Sequence, residues 1–145
     1  MSEPIRKTAM EIVTSEERQN GWAPHVIGVA SQEKEHGCDI LSTPPEGGEP
    51  HPVEVKGWGE AFIGARGQFL YTQDLRASQM RAAKNDPNFR IEIVANLTRY
   101  LGGDAPYERL TLRADEITSA QPRLWEVTLD GRQDEIRQGP HRRSP

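Results

Sequence analysis

Two rhythms of apolar residues run along the chain, one helical and one alternating. After Pro4, residues 5–19 (IRKTAMEIVTSEERQ) space Ile5, Ala9 and Ile12 along one face of a helix, and Asn20-Gly21 ends it. Residues 22–31 (WAPHVIGVAS) carry Val26, Ile27 and Val29 and predict a strand, followed by a charged turn over 32–37. Residues 38–41 (CDIL) predict a short second strand and 51–58 (HPVEVKGW) a third. The Pro- and Gly-rich PPEGGEP between them predicts a hairpin. A further extended piece, GQFLYT, precedes a helix over 73–85 whose Leu75, Met80 and Ala83 supply an inward stripe, closed by Asp86-Pro87. Residues 89–97 (FRIEIVANL) alternate Phe89, Ile91 and Ile93 and predict a central strand. LRADEI and LWEVTLDG read as one or two peripheral elements, and RQGPHRRSP, without apolar content, as a flexible basic tail. The expected organisation is one α/β (α+β) domain over 1–136 and a tail over 137–145.

Composition changes this picture little. A chain of 145 residues with 34% hydrophobic and 28% charged residues suits one globular domain. No apolar run approaches the roughly 20 residues that span a bilayer, and the N-terminus lacks the apolar core of a secretory signal, so a cytoplasmic protein without membrane contact is expected. The single cysteine, Cys38, excludes an intramolecular disulfide. The net charge of -4 argues against indiscriminate polyanion binding, so any contact with nucleic acid must use a local basic patch.

The third strand carries the chemistry. Alternate side chains of a strand share a face, so Glu54 and Lys56 point one way and Val53 and Val55 the other. Charges at the centre of an apolar strand are costly unless paired or bound to metal. If PPEGGEP is the hairpin loop, pairing Asp39 with either Glu54 or Lys56 puts all three on one face. Two hard carboxylates and a backbone carbonyl, that of Val55, can then hold Mg²⁺ or Mn²⁺, with Lys56 beside the attacking water or the scissile phosphate. A bare Glu-x-Lys is otherwise a solvated strand face or a cross-strand ion pair.

GCDIL, then VEVKG, then a helix carrying Gln79 resembles the PD-(D/E)XK nuclease superfamily in order and spacing, and more specifically the nuclease-like domain at the C-terminus of the plant protein NO VEIN. The resemblance covers about two thirds of the chain, from the first helix through FRIEIVANL. It implies a restriction-endonuclease-like α-β-β-β-α-β core around a mixed sheet. It also implies that Asp39 and Glu54 are metal ligands, that Lys56 is the catalytic cation, and that Gln79 orients a water or phosphate. Gln79 reads equally as a capped or solvated helix residue. The family often adds a first-helix Glu, yet Arg6 stands at that position. Glu11 and Glu16 are the substitutes, and solvent exposure is the plainer reading of both.

Arg66, Arg76 and Arg81, with Lys84 and Arg90, could form a phosphate-contacting rim, or simply a solvated helix face. His36, Cys38 and His51 lack the spacing of a zinc site. Trp22, Trp58 and Trp125 read as core-edge packing before base stacking. The function expected is metal-dependent hydrolysis of phosphodiester bonds, in DNA, with specificity supplied by a protein partner and a homodimer left open. The alternative is an inactive nuclease-fold module that binds nucleic acid or a protein partner in a defence or repair system.

Overall fold

The computed structural model describes residues 2–28, 37–71, 73–119, 126–127 and 132–142. Helix α1 spans Glu3–Gln19, starting two residues before the predicted stretch because Ser2 caps it, its hydroxyl accepting from the Ile5 N–H at 3.4 Å. Strands β1 (Ala23–Val26), β2 (Ile40–Thr43) and β3 (His51–Gly57) follow, then the short β4 (Gln73–Asp74) and helix α2 (Ala77–Asn85). Next come β5 (Arg90–Ala95), α3 (Leu97–Leu101), β6 (Pro106–Arg113), α4 (Ala114–Thr118), β7 (Glu126–Val127), a 3₁₀ turn (Gln133–Glu135) and β8 (Arg137–His141).

The protein is mixed α/β. Six strands form a mixed sheet in the order β1-β2-β3-β5-β6-β8, and β4 pairs with β7 in a separate two-stranded piece. Among the described strands only β3 and β5 are parallel; α2 supplies the crossover that parallel neighbours require. The β2–β3 hairpin turns through Gly47, whose φ is 84° and whose N–H donates to Pro44 O at 2.9 Å.

Alternation along the strands builds two cores. Val53, Val55, Ile40, Val94 and Tyr107 pack under Ala9, Ile12 and Val13 of α1. On the other face Ile91, Ile93, Ala95, Leu110 and Leu112 pack with Met80 and Ala83 of α2, Ile117 of α4 and Phe62. Glu54 and Lys56, out of phase with Val53 and Val55, therefore face the α2 side.

Several predicted elements moved. The predicted helix over 73–85 begins only at Ala77, and its first residues form β4. GQFLYT holds a single bridge, Ile63 to Phe69, instead of a strand. Residues 137–141, read as tail, form β8 on the sheet edge against β6, while 143–145 lie outside the described residues. Gly139 makes that pairing feasible, because a Cβ there would lie 2.0 Å from the Tyr107 ring. Parts of two predicted pieces, 29–31 of the first strand and most of LWEVTLDG, also fall outside the described residues. No described helix is long and apolar enough to cross a membrane.

Candidate functional site

The hairpin register meets the geometric requirement set by the sequence. Ile40 pairs with Val53 and Leu41 with Pro52, so continuing the ladder by one residue sets Asp39 opposite Glu54. The Asp39 N–H donates to Val53 O at 2.9 Å, and Asp39 Oδ2 accepts from the Val55 N–H at 2.8 Å. The carboxylate is thereby fixed across the start of the Glu54–Lys56 segment. Just ahead of it, Gly37 has φ 68°, and a Cβ there would lie 2.8 Å from Ser78 O, so only glycine lets the chain turn this close beneath α2.

Glu54 is half-buried, and its environment works against ionisation. Burial raises its pKa to about 8, reinforced by the hydrogen bond and the charge of Asp39; Lys56 and Gln79 pull the other way without winning. Two carboxyl groups in contact hold a proton between them more readily than two negative charges. Burial and the same two acids also push the Cys38 thiol up to about 12, which makes it an inert core group, not a nucleophile or zinc thiolate. Of the two histidines in that rejected zinc set, His36 lies outside the described residues.

Gln79 is almost wholly buried, at 1% exposure, so it is a capping residue of the helix and not a solvated one. Its Oε1 accepts from the Arg76 N–H at 3.1 Å, closing the first turn of α2, while its Nε2 donates to Glu54 Oε2 at 2.7 Å. The helix cap thus aims an amide at the strand carboxylate. Lys56 lies two residues beyond Glu54 on the same face, makes no ion pair or side-chain hydrogen bond among the described residues, and acts on Glu54 through its charge.

The arginines named from sequence separate. Arg66 sits exposed in a turn and Arg76 exposed at the α2 N-cap. Arg81 is exposed beside a cleft of about 330 Å³ that it shares with Leu41, Pro52, Ser78, Ala82 and Asp86. Arg90 does not belong to this rim. It lies on the α1 face, ion-paired to Glu17 and, at 2.5 Å, to Glu92. Of the first-helix acids, Glu16 and Glu17 are equally committed. Glu16, expected to face solvent, accepts from Tyr107 Oη at 2.8 Å and Arg109 Nε at 2.9 Å, leaving Glu11 as the exposed one.

A second charged centre therefore occupies the opposite face. Glu92 and Arg109, 5% and 4% exposed, are joined at 3.0 Å, with Thr111 donating to Glu92 at 2.6 Å and Arg109 donating to Ile93 O at 2.9 Å. Burial opposes the charge on Glu92, but Arg109 and Arg90 hold its pKa below the ordinary carboxylate value. Sequence reasoning missed this centre and Gly37. The alternation of Glu92 with Ile91 and Ile93 was its one available signal.

The Asp39–Glu54 pair fits a hard divalent cation, because two adjacent oxygen donors whose mutual charge and burial raise the Glu54 pKa would be relieved by such an ion. Among the described residues, no group of three or more His, Cys, Asp and Glu side chains is arranged to hold a metal. Compared with family models, curated proteins and solved structures, the chain matches none of them.

Proposed function

We propose that this chain is a metal-dependent nuclease of the PD-(D/E)XK type, hydrolysing phosphodiester bonds in DNA. One observation carries the reading: two carboxyl groups in contact, Asp39 and Glu54, stand on one sheet face beside Lys56. The order α1-β1-β2-β3-β4-α2-β5, in which β4 lies outside the main sheet and β3 and β5 are parallel, supports it further. Asp39 and Glu54 would hold Mg²⁺ or Mn²⁺, which would supply Lewis-acid polarisation of the phosphodiester. The chain's own residues do the rest. The Val55 N–H fixes Asp39, Gln79 fixes Glu54, and the Lys56 ammonium neutralises charge that develops on the phosphate oxygens.

The test is digestion of plasmid and single-stranded DNA with Mg²⁺ or Mn²⁺ by wild type, Glu54→Gln and Lys56→Ala at matched folding. Each variant is expected to lose on the order of 100-fold or more in rate. Equal rates in all three proteins overturn the assignment.

A second reading, a nuclease-fold module that binds nucleic acid or a protein partner without turnover, draws on a specific observation. Glu16 and Glu17 of α1 are locked in ion pairs on the far face, leaving the Asp39–Glu54 pair without a third described carboxylate. Retained DNA binding, no cleavage and no Mg²⁺-dependent rise in melting temperature distinguish it.

A further inference from the structure

The net charge of -4 requires any polyanion to find a local basic surface, and two of the residues named from sequence, Lys84 and Arg90, meet Arg113 at one. A cleft of about 650 Å³ lies at the end of the sheet where β3 and β5 begin, lined among others by His51, Lys84, Asn88, Arg90, Arg113 and Asp115. Lys84 is exposed and has no ion-pair partner among the described residues. The Arg113 side chain is 63% exposed and meets Asp115 and Glu116 only at 3.6 and 3.5 Å, so it can turn to a ligand at little cost. Arg90, held by Glu17 and Glu92, contributes a fixed edge.

An aromatic platform adjoins these cations. The Trp22 ring meets His51 edge-on at 4.9 Å, and the Arg90 guanidinium lies over Trp22 at 5.3 Å. Cations along a groove beside a tryptophan and a histidine ring suit a nucleic-acid strand, whose phosphates meet the charges and whose bases meet the rings. An acidic peptide would use the charges alone. Along β3, three residues at about 3.3 Å each, roughly 10 Å, separate His51 from Glu54. By strand alternation His51 and Arg90 stand on the α1 side, and Lys84 of α2 carries the groove round the sheet end to the side that Glu54 faces.

We infer that this cleft is a docking groove for the phosphodiester backbone of the nucleic acid cleaved at the Asp39–Glu54 site, an inference that rests on the nuclease reading. Lys84 and Arg113 contact phosphates, and the Trp22–His51 edge receives a base.

The experiment measures binding of a fluorescein-labelled single-stranded oligonucleotide in EDTA over a series of salt concentrations. It compares wild type, Lys84→Glu/Arg113→Glu, and the charge-matched control Lys7→Glu/Arg99→Glu, all four substituted residues being exposed. Melting curves check folding. The groove variant is expected to bind at least about tenfold more weakly, with a salt slope shallower by about two, while the control stays near wild type. The inference is overturned by absence of wild-type binding, by equal effects in both variants, or by a polyglutamate peptide binding as tightly as the oligonucleotide. Failure of the two readings separates cleanly. Groove-dependent binding with no cleavage by wild type in Mg²⁺ or Mn²⁺ removes the nuclease reading and with it the coupling of groove to cleavage, and cleavage with an indifferent groove removes only the groove.

Discussion

Two buried carboxylate centres occupy opposite faces of the same sheet, and they are built on opposite plans. Around Glu92 each negative charge meets a guanidinium, so the acid stays ionised although it is buried. Around Glu54 the nearest strong neighbour is another acid, Asp39, and the carboxyl is pushed up to about 8. A compensated centre needs nothing further and holds α1 onto β5 and β6. An uncompensated one stores a demand for positive charge, which is why it reads as a site.

The comparison breaks most visibly at Arg109. Arg109→Met leaves Glu92 and Glu16 without their main partner and should cost about 3–5 kcal/mol in urea unfolding. Glu54→Gln, which removes half of an unfavourable pair, should be neutral or stabilising in EDTA. If both substitutions destabilise equally, the two centres are not different in kind.

Metal should act on one face only. At a Mg²⁺ concentration 100-fold above its dissociation constant, wild type should gain about 2.7 kcal/mol, seen as a raised melting temperature. Asp39→Asn should gain nothing, and an Arg109 variant that still folds should respond as wild type does. A response in Asp39→Asn would move the ion elsewhere.

Gly37→Ala offers a smaller and more local test. The positive φ and the 2.8 Å approach to Ser78 O should cost about 1–3 kcal/mol and shift Asp39, weakening the Mg²⁺ response beyond the loss of stability. An unchanged response would mean that Gly37 positions nothing.

The pH dependences should carry opposite signs. Glu54 has a folded pKa of about 8, above its ordinary 4.5, so its contribution to stability is full below 4.5 and is lost as pH rises through 8. Glu92 is depressed, so its contribution is present above 4.5 and is lost as pH falls below that value. Melting temperature in EDTA should therefore contain a decline between pH 4.5 and 8 that Glu54→Gln abolishes and Glu92→Gln leaves in place.

Much of the proposed site was legible because hairpin symmetry and strand alternation are local rules. Val53, Glu54, Val55 and Lys56 announced two faces, and PPEGGEP fixed the partner strand closely enough to bring Asp39 across. Strand β6 escaped notice because Glu108 and Arg109 interrupt its apolar pattern, and Arg109 is buried only because Glu92, 17 positions earlier, meets it. The β8 strand was hidden for a related reason. RQGPH has no apolar face to advertise, and its fit depends on Gly139 passing over Tyr107, a ring distant in sequence. Gln79 was ambiguous because one side chain does two jobs, and only tertiary placement shows the second.

The central claim is that Asp39 and Glu54 share a proton in place of a cation. Calorimetric titration of the metal-free protein with Mn²⁺ at pH 7, repeated in buffers of different ionisation enthalpy, measures ion binding and proton release together. The account expects one ion bound per chain with release of about one proton, lost in Glu54→Gln. Binding without proton release, or no binding at all, would contradict it.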